Sequence, residues 1–188
     1  VCGHVRTARV IFGRAMRDDL VQFNPFDRLP GSAPAPDKEW RYVTLEELEE
    51  LLAACSNDGW RVFLALQRLA GLRRGEALAL AWRHVDLEAG TLEVFAEKTG
   101  SRRVVPACPR LWELLESVRP DEVGETSLVV PEDEVSRQSL DHRIQTLIKR
   151  AGLEPWQAPF QVLRRNCETD WAQQFPQYSL YMLNPYSY

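Results

Sequence analysis

Apolar residues recur at helical spacing from the start of the chain: Val5, Ala8, Ile11, Phe12, Ala15 and Met16, with Arg6, Arg9, Arg14 and Arg17 between them. This pattern predicts an amphipathic helix with a basic face, ending near Asn24-Pro25. Residues 29–39 follow, rich in Pro, Gly, Ser and Ala and with little to pack, and read as a linker. The expected organisation is therefore a short helical piece over 1–28, a linker over 29–39 and a larger domain over 40–188.

The larger domain opens with Thr44-Leu45-Glu46-Glu47, a capping box in which Thr44 accepts the Glu47 amide and Glu47 reaches back. A helix to about Cys55 follows, and Asn57-Asp58-Gly59 breaks it. Trp60 to Ala70 is mostly apolar and predicts a buried helix stopped by Gly71. A third helix is expected from Arg74 to Trp82. The period then changes. Thr91 to Glu97 alternates apolar and polar, Arg103 to Pro106 does so in part, and Lys98-Thr99-Gly100-Ser101 between them has turn chemistry. A β-hairpin is predicted there, with Asp86 to Gly90 before it as a further short strand or turn. Pro109 stands at the first position of a helix to about Val118. Leu128-Val129-Val130 is a short apolar run closed by Pro131. Ser136 is expected to cap a helix through Arg150, and Gln161 to Gln174 forms the last predicted helix. The fold class is α+β, mainly helical, with a small antiparallel β-sheet.

Composition narrows the function classes. Hydrophobic residues make up 45% of the 188 and charged residues 27%, as in an ordinary globular domain. No apolar run is long enough to span a bilayer. The four cysteines, Cys2, Cys55, Cys108 and Cys167, lie far apart without a CxxC pair, which speaks against a disulfide framework or a zinc site and for reduced thiols in the cytoplasm. His4, His84 and His142 show no ligand or triad spacing. The net charge of −4 argues weakly against a nucleic-acid partner. Phosphates, however, are met by a local patch. The bases gather at Arg73–Arg83, Lys98–Arg103, Lys149–Arg150 and Arg164–Arg165, and the acids gather elsewhere.

Two of these basic segments have the form of a phosphate site. In Gly71-Leu72-Arg73-Arg74-Gly75-Glu76, Arg73 follows a helix stop, where the next helix would add amides and its dipole for an anion, and Glu76 lies one turn on to orient a guanidinium. In Phe160-Gln161-Val162-Leu163-Arg164-Arg165, Arg164 lies near its own helix start. Arginine suits the role because its planar fork binds phosphate bidentately and stays charged. Lys98, at the hairpin turn, could donate a proton to a leaving oxygen if neighbouring arginines lowered its pKa. Each segment alone has an ordinary surface reading, and the combination and its order are more telling than the parts.

Together, Gly71–Glu76, the Lys98 hairpin and Leu163-Arg164-Arg165 resemble, in order, the catalytic domain of the tyrosine recombinases, the phage-integrase family, over about Tyr42 to Phe175. The N-terminal helix is similar to the end of that family's helical core-binding domain. The resemblance implies site-specific recombination or integration of double-stranded DNA, through a phosphotyrosine intermediate, by a homo-oligomer on DNA. It implies no metal or nucleotide cofactor, a cytoplasmic, nucleoid-associated location and no membrane partner. It makes Arg73, Lys98 and Arg164 catalytic and Glu76 supporting, with the three cations converging on one concave face. Gln161 stands where the family commonly has histidine. Glutamine can bind phosphate but cannot act as a base at neutral pH. After Arg164 the chain contains no histidine and no third family box, so the nucleophile is open, with Tyr188 the latest candidate. The chain as given is expected not to cleave DNA. A non-cleaving DNA-binding remnant and an unrelated helical regulatory or interaction module remain as alternatives.

Overall fold

A computed structural model describes residues 2–29, 40–96 and 100–174. The chain divides into two compact units, residues 1–40 and 41–188. In the first, α1 (Cys2–Arg17) carries the predicted amphipathic pattern but stops earlier than expected. Asp19 takes a left-handed φ of 53°, and the chain turns back instead of continuing to Asn24. Asn24 has a different task. Its Nδ2 donates to the Arg9 carbonyl at 3.0 Å and its Oδ1 accepts the Phe26 amide at 3.0 Å. Arg9 returns Nη2 to the Leu29 carbonyl at 2.7 Å, and the Phe12 and Phe26 rings meet at 5.0 Å.

The second unit is mainly helical with one small sheet. Helix α2 (Leu45–Ala53) begins with the predicted capping box, and Leu48, Leu51 and Leu52 face inward. Helix α3 (Asp58–Ala70) starts two residues before Trp60. Asn57 does not merely break the preceding helix: it caps this one, accepting the Trp60 amide on its side chain. The helix is buried on nearly every side, which makes it the axis of the core. It ends at Gly71, whose φ of 63° is the left-handed conformation that glycine adopts without a Cβ clash.

Helix α4 (Arg74–Ala79) is one short helix rather than a run to Trp82. Leu80 is extended, and a 3₁₀ turn spans Trp82–His84. The cause is tertiary pairing. Ala81 bridges Leu128, the Val129 amide donates to the Leu80 carbonyl and the Trp82 amide to the Ser127 carbonyl, each at 2.9 Å. The apolar run at 128–130 thus takes the backbone that would have extended α4.

Strands β1 (Val85–Asp86), β2 (Thr91–Phe95) and β3 (Arg102–Pro106) form an antiparallel sheet in that order. Leu92 pairs with Val105, and Val94 with Arg103. Leu92, Val94 and Val105 are buried on the inner face. Arg103 shares their side, because residues two apart on a strand point the same way. Helix α5 (Pro109–Val118) begins at its proline as expected. Helix α6 (Leu140–Arg150) begins later than predicted. Ser139, at φ 61°, precedes it, and Ser136 stands in the turn before. Helix α7 (Pro159–Gln174) packs along α3, and its Phe160 ring lies 5.5 Å from Phe63.

Helix α7 is also tied down by polar groups. Arg68 on α3 is 1% exposed. Its Nε and Nη2 donate to the Val43 carbonyl at 3.1 and 3.0 Å, and its Nη1 pairs with Asp170 at 2.6 Å. The Tyr42 hydroxyl donates to the other oxygen of Asp170. Asn166 accepts the Val43 amide at 2.8 Å and donates to the Arg41 carbonyl at 3.2 Å. A guanidinium buried this deeply is tolerated because its donors are met.

Candidate active site

The starts of α4, α6 and α7 frame a cleft of about 640 Å³. Arg73, Arg74, Asp141, Ala158, Phe160, Gln161, Arg164 and Glu168 line it. Three side chains selected from the sequence, Arg73, Gln161 and Arg164, therefore share one cleft, although 88 or more positions separate Arg73 from the other two. Gln161 and Arg164 do so because residues three apart lie on one face of α7. Arg73 does so because Gly71 turns the chain at the end of α3, beside α7.

Glu76 lies beneath Arg73, with its side chain 3% exposed. One oxygen accepts Arg73 Nη1 at 2.9 Å and Arg103 Nη1 at 2.9 Å. The other accepts the Arg73 backbone amide at 2.7 Å and Arg103 Nη2 at 2.6 Å. Burial alone would raise the Glu76 pKa. The Arg103 hydrogen bonds, the Arg73 amide and the charge of Arg103 overcome it and take the carboxyl down to about 2. The expected orienting contact between Glu76 and Arg73 is present. The expected helix-terminus site is not: α4 has six residues, and Glu76 already holds the Arg73 amide.

Arg103 is the residue that reading the sequence missed. Its side chain is 9% exposed and forks onto Glu76. The signal was present in its position two residues before Val105, on the inward parity of β3. Two arginines thus meet one carboxylate, and the local balance stays positive for an anion. Arg73 keeps 44% of its side chain exposed to the cleft.

Arg164 is more enclosed, at 14% side-chain exposure. Its Nε donates to Glu168 at 2.9 Å, one turn further along α7. Arg74 lies over the Phe160 ring at 5.9 Å and 3.6 Å from Asp141. Glu168 and Asp141 were also missed, although Glu168 stands at the i+4 position that pairs on a helix. Lys98 and Tyr188 lie outside the described residues. Next to Lys98, the Ala96 amide donates to the Ser101 carbonyl and the Gly100 amide to the Ala96 carbonyl, both at 2.8 Å, and Gly100 has φ 67°.

Burial pushes the thiols of Cys55 and Cys167 up to about 12, so neither is a nucleophile. Among the described residues, no group of three or more His, Cys, Asp or Glu is placed to hold a metal ion, and no helix is long and apolar enough to cross a membrane. The cleft can bind a dianionic or diester phosphate between guanidinium groups that the fold holds in place.

Searched by sequence, curated proteins return no match. The fold has solved relatives. The XerA recombinase aligns with a TM-score of 0.64 and 19% identity, over 94% of this chain and 64% of that one. The Tn1549 transposon integrase in complex with circular intermediate DNA aligns with a TM-score of 0.72 and 16% identity, over 99% and 70%. A lambda integrase dimer bound to a COC′ core site aligns at 0.71 and 18%, over 97% and 70%. At these identities the likeness is one of fold, and the chain spans 64% of the XerA length. The family model for the phage integrase family matches residues 41–176, nearly the whole second unit. The chain belongs to the phage integrase family.

Proposed function

We propose that this domain binds duplex DNA and holds the scissile phosphate between Arg73 and Arg164, in a recombinase that cuts and rejoins strands through a phosphotyrosine. The cleft carries this reading, since it gathers Arg73, Gln161 and Arg164 from two distant segments. Arg73 and Arg164 neutralise the non-bridging oxygens, and Gln161 donates a hydrogen bond to one of them. Glu76 and Arg103 hold Arg73 in register. Lys98 serves as the acid for the leaving 5′-oxygen, and the family's role for a tyrosine nucleophile falls to the C-terminal segment, where Tyr188 is the candidate. Residues 1–28 act as the end of a core-binding domain, with residues 29–39 as its linker. The protein works on DNA in the cytoplasm as a homo-oligomer. The relatives titled as DNA complexes and as a dimer on a core site support this assembly by analogy of fold.

Two measurements test the proposal. Binding to a labelled duplex should weaken steeply with salt and fall further in Arg73→Ala and Arg164→Ala. Binding that ignores both substitutions overturns the phosphate-site assignment. A suicide duplex nicked beside the cut site then separates cleavage from binding. A covalent protein–DNA adduct lost in Tyr188→Phe assigns the nucleophile. Salt-sensitive binding without an adduct assigns the given chain to binding and phosphate positioning.

A further inference from the structure

The two arginines of the cleft are compensated in opposite ways. At Arg73, a buried carboxylate is shared with a second arginine, so Glu76 orients the guanidinium without cancelling the site's charge. At Arg164, the pairing carboxylate is Glu168, which is one-third exposed and itself lines the cleft. It engages Nε, on one edge of the guanidinium fork, at 2.9 Å. A second carboxylate, Asp141, stands at the same cleft beside Arg74 and is largely exposed. Two of the three lining arginines, Arg164 and Arg74, are thus met by carboxylates that a phosphate must approach.

Resting on the phosphate site proposed above, we infer that Glu168 is an affinity-setting residue: its carboxylate competes with DNA phosphate for Arg164, and it keeps the cleft's grip on any single phosphate weak. A phosphate taking the Nε edge must displace Glu168. A phosphate taking another edge of the guanidinium still sits about one guanidinium width from the like charge of Glu168, and shares Arg164 with it. Both routes cost binding energy, because like charges at this range repel through a medium of reduced dielectric. The cost falls on every phosphate and carries no base information. Glu168 therefore lowers non-specific binding, and selection among DNA sites is left to contacts elsewhere.

The experiment compares binding of the whole chain to a fluorescein-labelled duplex by anisotropy across a salt series. The variants are Glu168→Gln, Glu168→Ala, Arg164→Ala, the double variant Arg164→Ala/Glu168→Gln and, as a control for net charge, Glu88→Gln on an exposed loop. Thermal unfolding of each variant checks that it is folded. Glu168→Gln and Glu168→Ala should bind about tenfold more tightly than the unsubstituted chain at low salt, a factor corresponding to roughly 1.4 kcal/mol. The gain should vanish in the double variant, since it acts through Arg164. An equal gain in Glu88→Gln would make the effect one of bulk charge and overturn the inference. Weaker binding in both Glu168 variants, with Arg164→Ala also weak, would overturn it as well and make Glu168 an orienting partner of Arg164; the phosphate site would stand. If Arg164→Ala binds as well as the unsubstituted chain, the phosphate site fails, and the inference fails with it.

Discussion

Glu76→Gln tests the architecture under Arg73. The substitution keeps size and shape but removes a carboxylate that receives four N–H groups, from Arg73 and Arg103. It leaves the Arg103 guanidinium, 9% exposed, facing an amide whose NH₂ has no use for a donor. The magnitude follows from the depressed carboxyl. A shift from the ordinary 4.5 to about 2 corresponds to about 3 kcal/mol of stability in the folded state at neutral pH. Because the folded value is the lower one, this contribution is fully present above about pH 4.5. It is lost as pH falls towards 2, where the carboxyl protonates even in the folded protein. Urea unfolding at a series of pH values reads it directly. At pH 7, Glu76→Gln should be about 3 kcal/mol less stable, or on the order of 10 °C lower in midpoint for a domain of this size. The gap between the two proteins should close as pH falls from 4.5 to 2. A gap that stays constant over that range would refute the reasoning, since it would trace the loss to packing and not to charge. An unchanged midpoint at pH 7 would refute it outright.

Other substitutions probe the remaining supports. Asp170→Ala strands Arg68 Nη1 in the interior and should cost about 3 kcal/mol in urea unfolding, the scale for breaking a buried pair; a loss under 1 kcal/mol would mean that water replaces the carboxylate. Gly71→Ala forces a Cβ into a left-handed residue and should cost about 1 kcal/mol, read as a lower thermal midpoint. Arg164→Ala should weaken duplex binding by about 1.5–3 kcal/mol, the value of a hydrogen bond to a charged group, as measured by anisotropy at low salt. Cys55 and Cys167 should resist alkylation in the native protein and react once it is unfolded, with peptide mass mapping as the readout.

Local chemistry was legible without a structure wherever a residue's effect stays within a turn of chain. Thr44 and Glu47 cap α2, Gly71 stops α3, Pro109 opens α5, and the switch from period 3.6 to period 2 marks the sheet. Arg73 and Arg164, which line one cleft, were also legible as candidates, because arginine after a helix stop and arginine near a helix start are recognisable as types in an order. What failed was anything decided by a distant segment. Helix α4 reads as continuing to Trp82, but residues 127–129 claim its backbone and end it at Ala79. Arg68 lies in a helix that reads as buried, but nothing near it in the chain names the Tyr42, Val43 and Asp170 groups that meet its donors and make its burial tolerable. The hold on Glu76 by Arg103 depends on a strand register that pairs Val94 with Arg103, 27 residues beyond that carboxylate. Hydrogen-bond periodicity is a property of neighbouring residues and is written in the sequence. Which buried charge finds which partner depends on how the helices and the sheet pack, and the tertiary structure alone decides that.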